Sequence, residues 1–246
     1  MNFKEFLPSL KEKWQEIPAG LQVRMFSGDF LQLPETDFIQ QWAKLYSENC
    51  EGTGFAVRGW YHHLYEPLAK QGGHWLEIGS GLGYDGIFFG SKGAKVTFCD
   101  IVEDNLKVVE RMCRLKGLTN TDFIVLKSIE EIKNYSSFDV ILAIGSLINN
   151  PVEIAKAERS AFSNKLKTGG RWLELAYPKE RWTADGKLPQ KEWGKRTDGE
   201  RTPWMEWYDL EKLLDTFPAN AFTPIMNFNF RGTEFNWFDL MKNCPE

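Results

Sequence analysis

Two acids and three alternating glycines stand close together in this chain: Glu77, Gly79, Gly81, Gly83 and, past a helix-compatible run, Asp100. Glycine lets the chain turn sharply and leaves bare main chain against which a ligand can lie. A helix that starts after such a turn offers unpaired N–H groups beside that ligand. A carboxylate at the end of the next strand, about 20 residues past the turn, can accept both hydroxyls of a ribose. The residue types therefore point to recognition of an adenosine compound.

The elements that must hold these residues can be read on either side. Trp75–Ile78 is a short apolar run suited to a buried strand, Tyr84–Ser91 resumes with helix-compatible residues, and Lys92-Gly93 reads as a helix stop. Lys95–Cys99 is a second apolar run that ends on Asp100. This is a βαβ half, which in a parallel sheet crosses over right-handed.

Which adenosine compound binds is a matter of spacing. A dinucleotide turn reads G-x-G-x-x-G, but here the sixth place is Tyr84 and the third glycine falls one place early, at Gly83. Glu77 would repel a diphosphate, whereas it suits a ligand bearing an ammonium and a sulfonium. A glycine-rich loop without a ligand is opposed by the agreement of strand, spacing and distal acid. The series Glu77-x-Gly79-x-Gly81-x-Gly83 followed by Asp100 resembles the first two motifs of the class I S-adenosylmethionine-dependent methyltransferases of small-molecule type. Further pieces follow in the order of that family: Phe123–Leu126, the Phe138-Asp139-Val140-Ile141 opening of a strand to Ile144, and a Leu166-Lys167-x-Gly169-Gly170 turn into Trp172–Ala176.

The resemblance implies an α/β, Rossmann-like, doubly wound sheet of seven strands in the order 3-2-1-4-5-7-6, the last antiparallel, with S-adenosyl-L-methionine as cofactor and no metal. It implies that Glu77, Gly79, Ser80, Gly81 and Gly83 hold the methionine end, Asp100 and Ile101 the ribose, and Ser128 and Ile129 the adenine edge. Gly145 and Ser146 would lie beside the methyl. The chain also departs from the family: the acid usual after the third strand is absent, and Gly145 and Asn149 stand where many small-molecule members carry an acid and a histidine. It also lacks the Asp/Asn-Pro-Pro-Tyr/Phe tetrapeptide of adenine and glutamine methylation.

The whole chain, 1–246, reads as one methyltransferase domain, with 1–70 a helical cap and substrate roof and 71–246 the core. Phe3–Trp14 and Glu35–Asn49 carry apolar residues at helical spacing. Glu51–Tyr65 gathers Arg58, which could grip a methionine carboxylate in bidentate fashion, Tyr61 and His62, which could reach the methyl, and Tyr65. The same residues also read as one face of a surface helix. The stretch 178–203 reads as a long lid loop rich in Arg and Trp. Tyr65, Asn149, Tyr177, Arg181, Trp204 and Trp207 are the candidate acceptor-binding residues. His62 or Glu206 would serve as a base for a hydroxyl, while an amine or thiol would need less help. Thr223–Phe230 and Glu234–Met241 read as a hairpin, and Asp209 as a helix cap.

Composition bounds the alternatives. A net charge of −4 with no basic tract gives no footprint for nucleic acid, so the expected partner is a small-molecule acceptor. A protein or RNA acceptor, or a dinucleotide-binding protein that transfers no methyl, are the competing readings. The four cysteines are scattered without metal-type spacing, which suggests reduced thiols in a cytoplasmic protein. The amino-terminal residues do not read as a signal peptide, and no apolar run approaches the ~20 residues of a membrane span.

Overall fold

The computed structural model describes residues 2–18 and 24–244. The first helical pattern forms α1 (Phe3–Trp14), which buries Phe3, Phe6, Leu7 and Leu10 along one stripe. A two-stranded antiparallel ribbon, β1 (Glu16–Pro18) and β2 (Arg24–Phe26), follows and leads into α2 (Ser27–Gln32), none of which the hydrophobic pattern predicts. Next come α3 (Glu35–Cys50), burying Phe38, Trp42 and Leu45, and α4 (Gly59–Lys70).

The predicted βαβ half is β3 (His74–Ile78), α5 (Tyr84–Ser91) and β4 (Lys95–Asp100). It continues with α6 (Glu103–Leu115), β5 (Thr121–Val125), β6 (Phe138–Ile144), α7 (Val152–Ser163) and β7 (Leu166–Ala176). The chain ends with α8 (Lys179–Ala184), α9 (Gln190–Asp198), α10 (Leu210–Leu214), β8 (Phe222–Phe230) and β9 (Phe235–Lys242). The seven-stranded sheet has the order β5-β4-β3-β6-β7-β9-β8. Counted from β3, that is the expected 3-2-1-4-5-7-6, and β9 is antiparallel to both of its neighbours.

Two compact units make up the chain: Trp14–Leu126, and Met1–Lys13 with Lys127–Glu246. In the first, β3, β4 and β5 are parallel, with His74 opposite Lys95 and Val96 opposite Thr121. The residues of β3 and β4 after the first are buried, as expected for parallel strands covered on both faces, whereas β5 at the sheet edge is only half-buried. In the second unit, β6 and β7 are parallel and the β8–β9 hairpin closes on β7. An ion pair is fully buried there: Arg159 meets Glu174 at 2.5 Å. Burying two charges is costly unless their remaining hydrogen-bonding groups are satisfied. Here Glu174 also accepts from Trp172 Nε1 at 2.8 Å, and Arg159 donates to Thr216 Oγ1 at 3.4 Å.

The stretch 178–203, expected as a long loop, is partly helical. The stretch contains α8 and α9, fastened by Trp182 Nε1 to Leu188 O at 2.8 Å and by Trp193 Nε1 to Asp185 at 2.9 Å. The hairpin and the cap stand as expected, with Asp209 accepting from Lys212 N at 2.9 Å. Among the described residues, no helix is long and apolar enough to cross a membrane.

Candidate functional site

The glycine turn follows β3 with Gly79, Gly81 and Gly83 at φ values of 72°, 52° and 70°. All three lie in the left-handed region that side chains disfavour. Gly83 is required twice over, because a Cβ there would sit 2.7 Å from Val109 Cγ1. Gly81 differs, since a Cβ on it would meet nothing within 4 Å. The turn is therefore bare and open at Gly81. Asp100 pins it: Oδ2 accepts from Gly81 N at 3.0 Å and Oδ1 from Val102 N at 2.8 Å, with Asn105 Nδ2 at 3.4 Å from both oxygens. Burial raises the Asp100 carboxyl above its ordinary value, against the opposing pull of these donors. Ser80 is turned inward, its hydroxyl donating to main-chain oxygens of Glu77 and Cys99.

Glu77, two residues before the turn, is 3% exposed, and its Oε2, which a Cβ on Gly86 of α5 would meet at 2.6 Å, has no hydrogen-bond partner among the described residues. A buried carboxyl oxygen without a donor is a costly arrangement that a cationic ligand would relieve. Burial raises this carboxyl well above the usual range and the charge of Asp85 adds to the effect, while Arg58 and the Gly86 N–H oppose it. Asp85, in the first turn of α5, joins the residues singled out on α4. Its Oδ2 accepts from Arg58 Nη1 at 2.5 Å, and its Oδ1 meets Tyr61 Oη and His62 Nε2, each at 2.6 Å. Burial alone would raise Asp85, but Arg58, His62 and Tyr61 bring it down to about 2. The rings of Phe88 and Tyr46 stack on His62, at centroid distances of 4.4 and 6.3 Å. Trp42 Nε1 donates to Leu82 O at 3.0 Å and so ties α3 to the turn. Tyr65 is buried on the same helix as Tyr61.

His62, expected as a base, is 1% exposed and enclosed by rings, and its Nε2 meets Asp85. Glu206, the other expected base, lies in the other unit. It is 2% exposed, with Oε1 taken by Lys212 Nζ at 2.6 Å and Oε2 by Trp204 Nε1 at 3.3 Å.

In the unit that contains Glu206, Gly145 and Ser146 lie at the carboxyl end of β6, where Gly145 N donates to Leu175 O at 3.0 Å. Asn149 is 3% exposed; its Nδ2 donates to Gly145 O at 3.0 Å, and its Oδ1 has no partner, nor does the Ser146 hydroxyl. Glu206 N donates to Ile148 O at 2.7 Å, and Tyr177 forms a bridge with Trp207. Asn149, Tyr177, Trp204 and Trp207 thus belong to one edge, and Arg181 joins it with its guanidinium 3.9 Å from the centre of the Tyr177 ring. Ser128 precedes a short 3-10 turn, Ile129–Asn134, and Ile129 lines a cavity of about 710 Å³ with Phe3, Lys4, Glu130 and Ile154.

No protein-family model matches the sequence, and no curated protein matches it. Solved structures do match. The magnesium protoporphyrin IX methyltransferase of Synechocystis, with bound S-adenosylhomocysteine, has a TM-score of 0.57 at 14% identity, over 85% of this chain and 95% of that one. The 1,6-didemethyltoxoflavin N1-methyltransferase of Burkholderia thailandensis has a TM-score of 0.59 at 16% identity, over 93% of this chain and 94% of that one. An S-adenosylmethionine-dependent methyltransferase from Clostridium acetobutylicum has a TM-score of 0.60 at 13% identity, over 85% of this chain and 99% of that one. This chain has the class I S-adenosylmethionine-dependent methyltransferase fold. At such identities the likeness is one of fold, and function must be argued from the site. Within this methyltransferase fold, sequence reasoning found the glycine turn and Asp100 and passed over Asp85, Trp42, Lys179 and Lys212. Asp85 had one signal, an acid in the helix turn directly after the glycines.

Proposed function

We propose that the protein transfers a methyl group from S-adenosylmethionine to a small polar acceptor, a metabolite hydroxyl or amine. The observation that carries this reading is the partnerless Oε2 of Glu77, two residues before a turn that is open at Gly81. An ammonium or sulfonium fits that carboxyl, whereas a diphosphate does not. In this reading Glu77, Gly79, Ser80, Gly81 and Gly83 hold the methionine end, Ser80 through its main chain. Asp100 and Ile101 are proposed for the ribose, whose hydroxyls would compete with Asn105 for the Asp100 oxygens. Arg58, whose side chain is 27% exposed, keeps part of its fork for the methionine carboxylate. Tyr61 and His62 hold Asp85 and, through it, Arg58. Ser128 and Ile129 are proposed for the adenine, and Gly145 and Ser146 for the methyl end.

The cofactor supplies an electrophilic methyl carbon when bound. The chain's own part is to orient the acceptor and exclude water. Holding reacting groups in line can lower a barrier by several kcal/mol. Both candidate bases, His62 and Glu206, are buried, so the reading favours an acceptor nucleophilic in its own right, such as an amine of lowered pKa. Among the described residues Cys50, Cys99, Cys113 and Cys244 form no disulfide. The test is incubation with methyl-labelled S-adenosylmethionine and fractionated metabolites, peptides and RNA. Label in a small-molecule fraction is expected. Label confined to peptide or RNA, or none in any fraction, would reject the proposal.

A further inference from the structure

The acceptor edge described above carries more positive charge than its own contacts use. Lys179, Arg181 and Lys212 surround Tyr177 and Trp207: Lys212 Nζ lies 3.7 Å and Lys179 Nζ 5.1 Å from the centre of the Trp207 ring. Trp182 also stacks on Trp207, with centroids 5.7 Å apart. The ring faces thus already have occupants, which argues against an acceptor that stacks on them. Their effect is to hold the cations in place, since a cation over an aromatic face gains about 0.5–1 kcal/mol at an exposed site. Lys212 is neutralised by Glu206 at 2.6 Å. Lys179 and Arg181 have no carboxylate within ion-pair distance among the described residues; Arg181 donates to Glu234 O at 3.2 Å and to the Tyr177 hydroxyl. The nearby acids face other groups: Glu180 accepts from Asn229 at 3.3 Å and Asp198 from the Tyr177 hydroxyl at 3.4 Å. Two pre-positioned cations, Lys179 without a carboxylate partner and Arg181 with part of its five-donor fork still to use, make a receptor for an anionic oxygen group.

We infer that Lys179 and Arg181 bind an anionic substituent of the methyl acceptor, a phosphate or a carboxylate. The inference rests on the methyl-transfer reading for the meaning of this edge, and it narrows the acceptor from polar to anionic. The rings act as supports for the two cations.

The test uses the full chain saturated with S-adenosylhomocysteine and four probes: glucose 1-phosphate and benzoate, with glucose and benzyl alcohol as neutral counterparts. Indole N–H resonances of Trp182 and Trp207, assigned with Trp182→Phe and Trp207→Phe, report binding. At least one anionic probe is expected to shift them saturably while its neutral counterpart does not, and the stronger arm distinguishes phosphate from carboxylate. The Lys179→Gln/Arg181→Gln double variant should weaken that binding about tenfold or more, as expected for lost charged hydrogen bonds. Lys179→Arg, which keeps the charge, should retain it. No saturable binding by either anion, equal binding of the neutral partner, or unchanged binding by the double variant would overturn the inference. Calorimetry with S-adenosylhomocysteine on the same samples separates the two claims. Cofactor binding without anion binding rejects only the anionic acceptor, whereas loss of cofactor binding rejects the methyl-transfer reading itself.

Discussion

At the scale of the residue, Asp85 is the group on which the cofactor side of this account leans most. Its carboxyl titrates near 2 in the folded protein against an ordinary 3.8. A depressed carboxyl contributes stability that is present above the unfolded value and lost as pH falls through the folded one. For this shift the contribution is on the order of 2 kcal/mol, lost between about pH 4 and pH 2. Asp85→Asn should do more harm than that at neutral pH, because Arg58 keeps its charge in a largely buried place without a counter-ion. The expected loss is about 3–5 kcal/mol, measured by urea unfolding, together with a shallower acid limb. A loss under about 1 kcal/mol would show that Asp85 does not hold the cluster. Glu77, the glycines and Asp100 were legible in the sequence because a local motif spaces them. Asp85 was not, because its partners lie 23 to 27 residues upstream and an acid in a first helical turn already has an ordinary explanation in the helix dipole.

The elements were legible where apolar periodicity is strong. The described strands and helices from β3 to β7 lie where the apolar runs predict them, and α1 and α3 match their stripes. Four helices begin directly after a proline, at Pro34, Pro151, Pro178 and Pro189, since a proline's fixed φ suits it to a helix start. The two in the stretch 178–203 were missed because that stretch carries no apolar stripe. Of α9, only Trp193 and Gly194 are buried, so no apolar stripe announced it. The turn before α5 can be tested as an element by two substitutions of the same chemistry. Gly81→Ala and Gly83→Ala each force alanine into the left-handed region, at roughly 1–2 kcal/mol. Gly83→Ala adds the clash with Val109 and should unfold at distinctly lower urea. Gly81→Ala should stay close to the basic strain cost but lose affinity for S-adenosylhomocysteine by tenfold or more, since its Cβ projects where the ligand would lie. Equal affinity for Gly81→Ala and the unaltered protein would mean that no ligand touches this part of the turn.

For the whole molecule, the dependence of stability on pH follows from a buried acid outside the site. Burial pushes the Glu158 carboxyl up to about 7; Asn150, which donates to it at 2.5 Å, and Arg159 oppose that shift, and Glu174 adds to it. The unfolded chain gives up this proton near 4.5 and the folded chain near 7, so stability falls as pH rises between those values. Glu158→Gln keeps an oxygen for Asn150 and removes the titration. It should make the fall in melting temperature across that range shallower and leave the protein about 1–3 kcal/mol more stable at pH 8. An unchanged slope would assign the effect to another group. The central claim concerns what the open glycine turn holds, and calorimetric titration with S-adenosylhomocysteine, with NAD in parallel, tests it most directly. The account predicts one cofactor per chain and no binding of NAD. Absence of cofactor binding, or binding of NAD in its place, would contradict it.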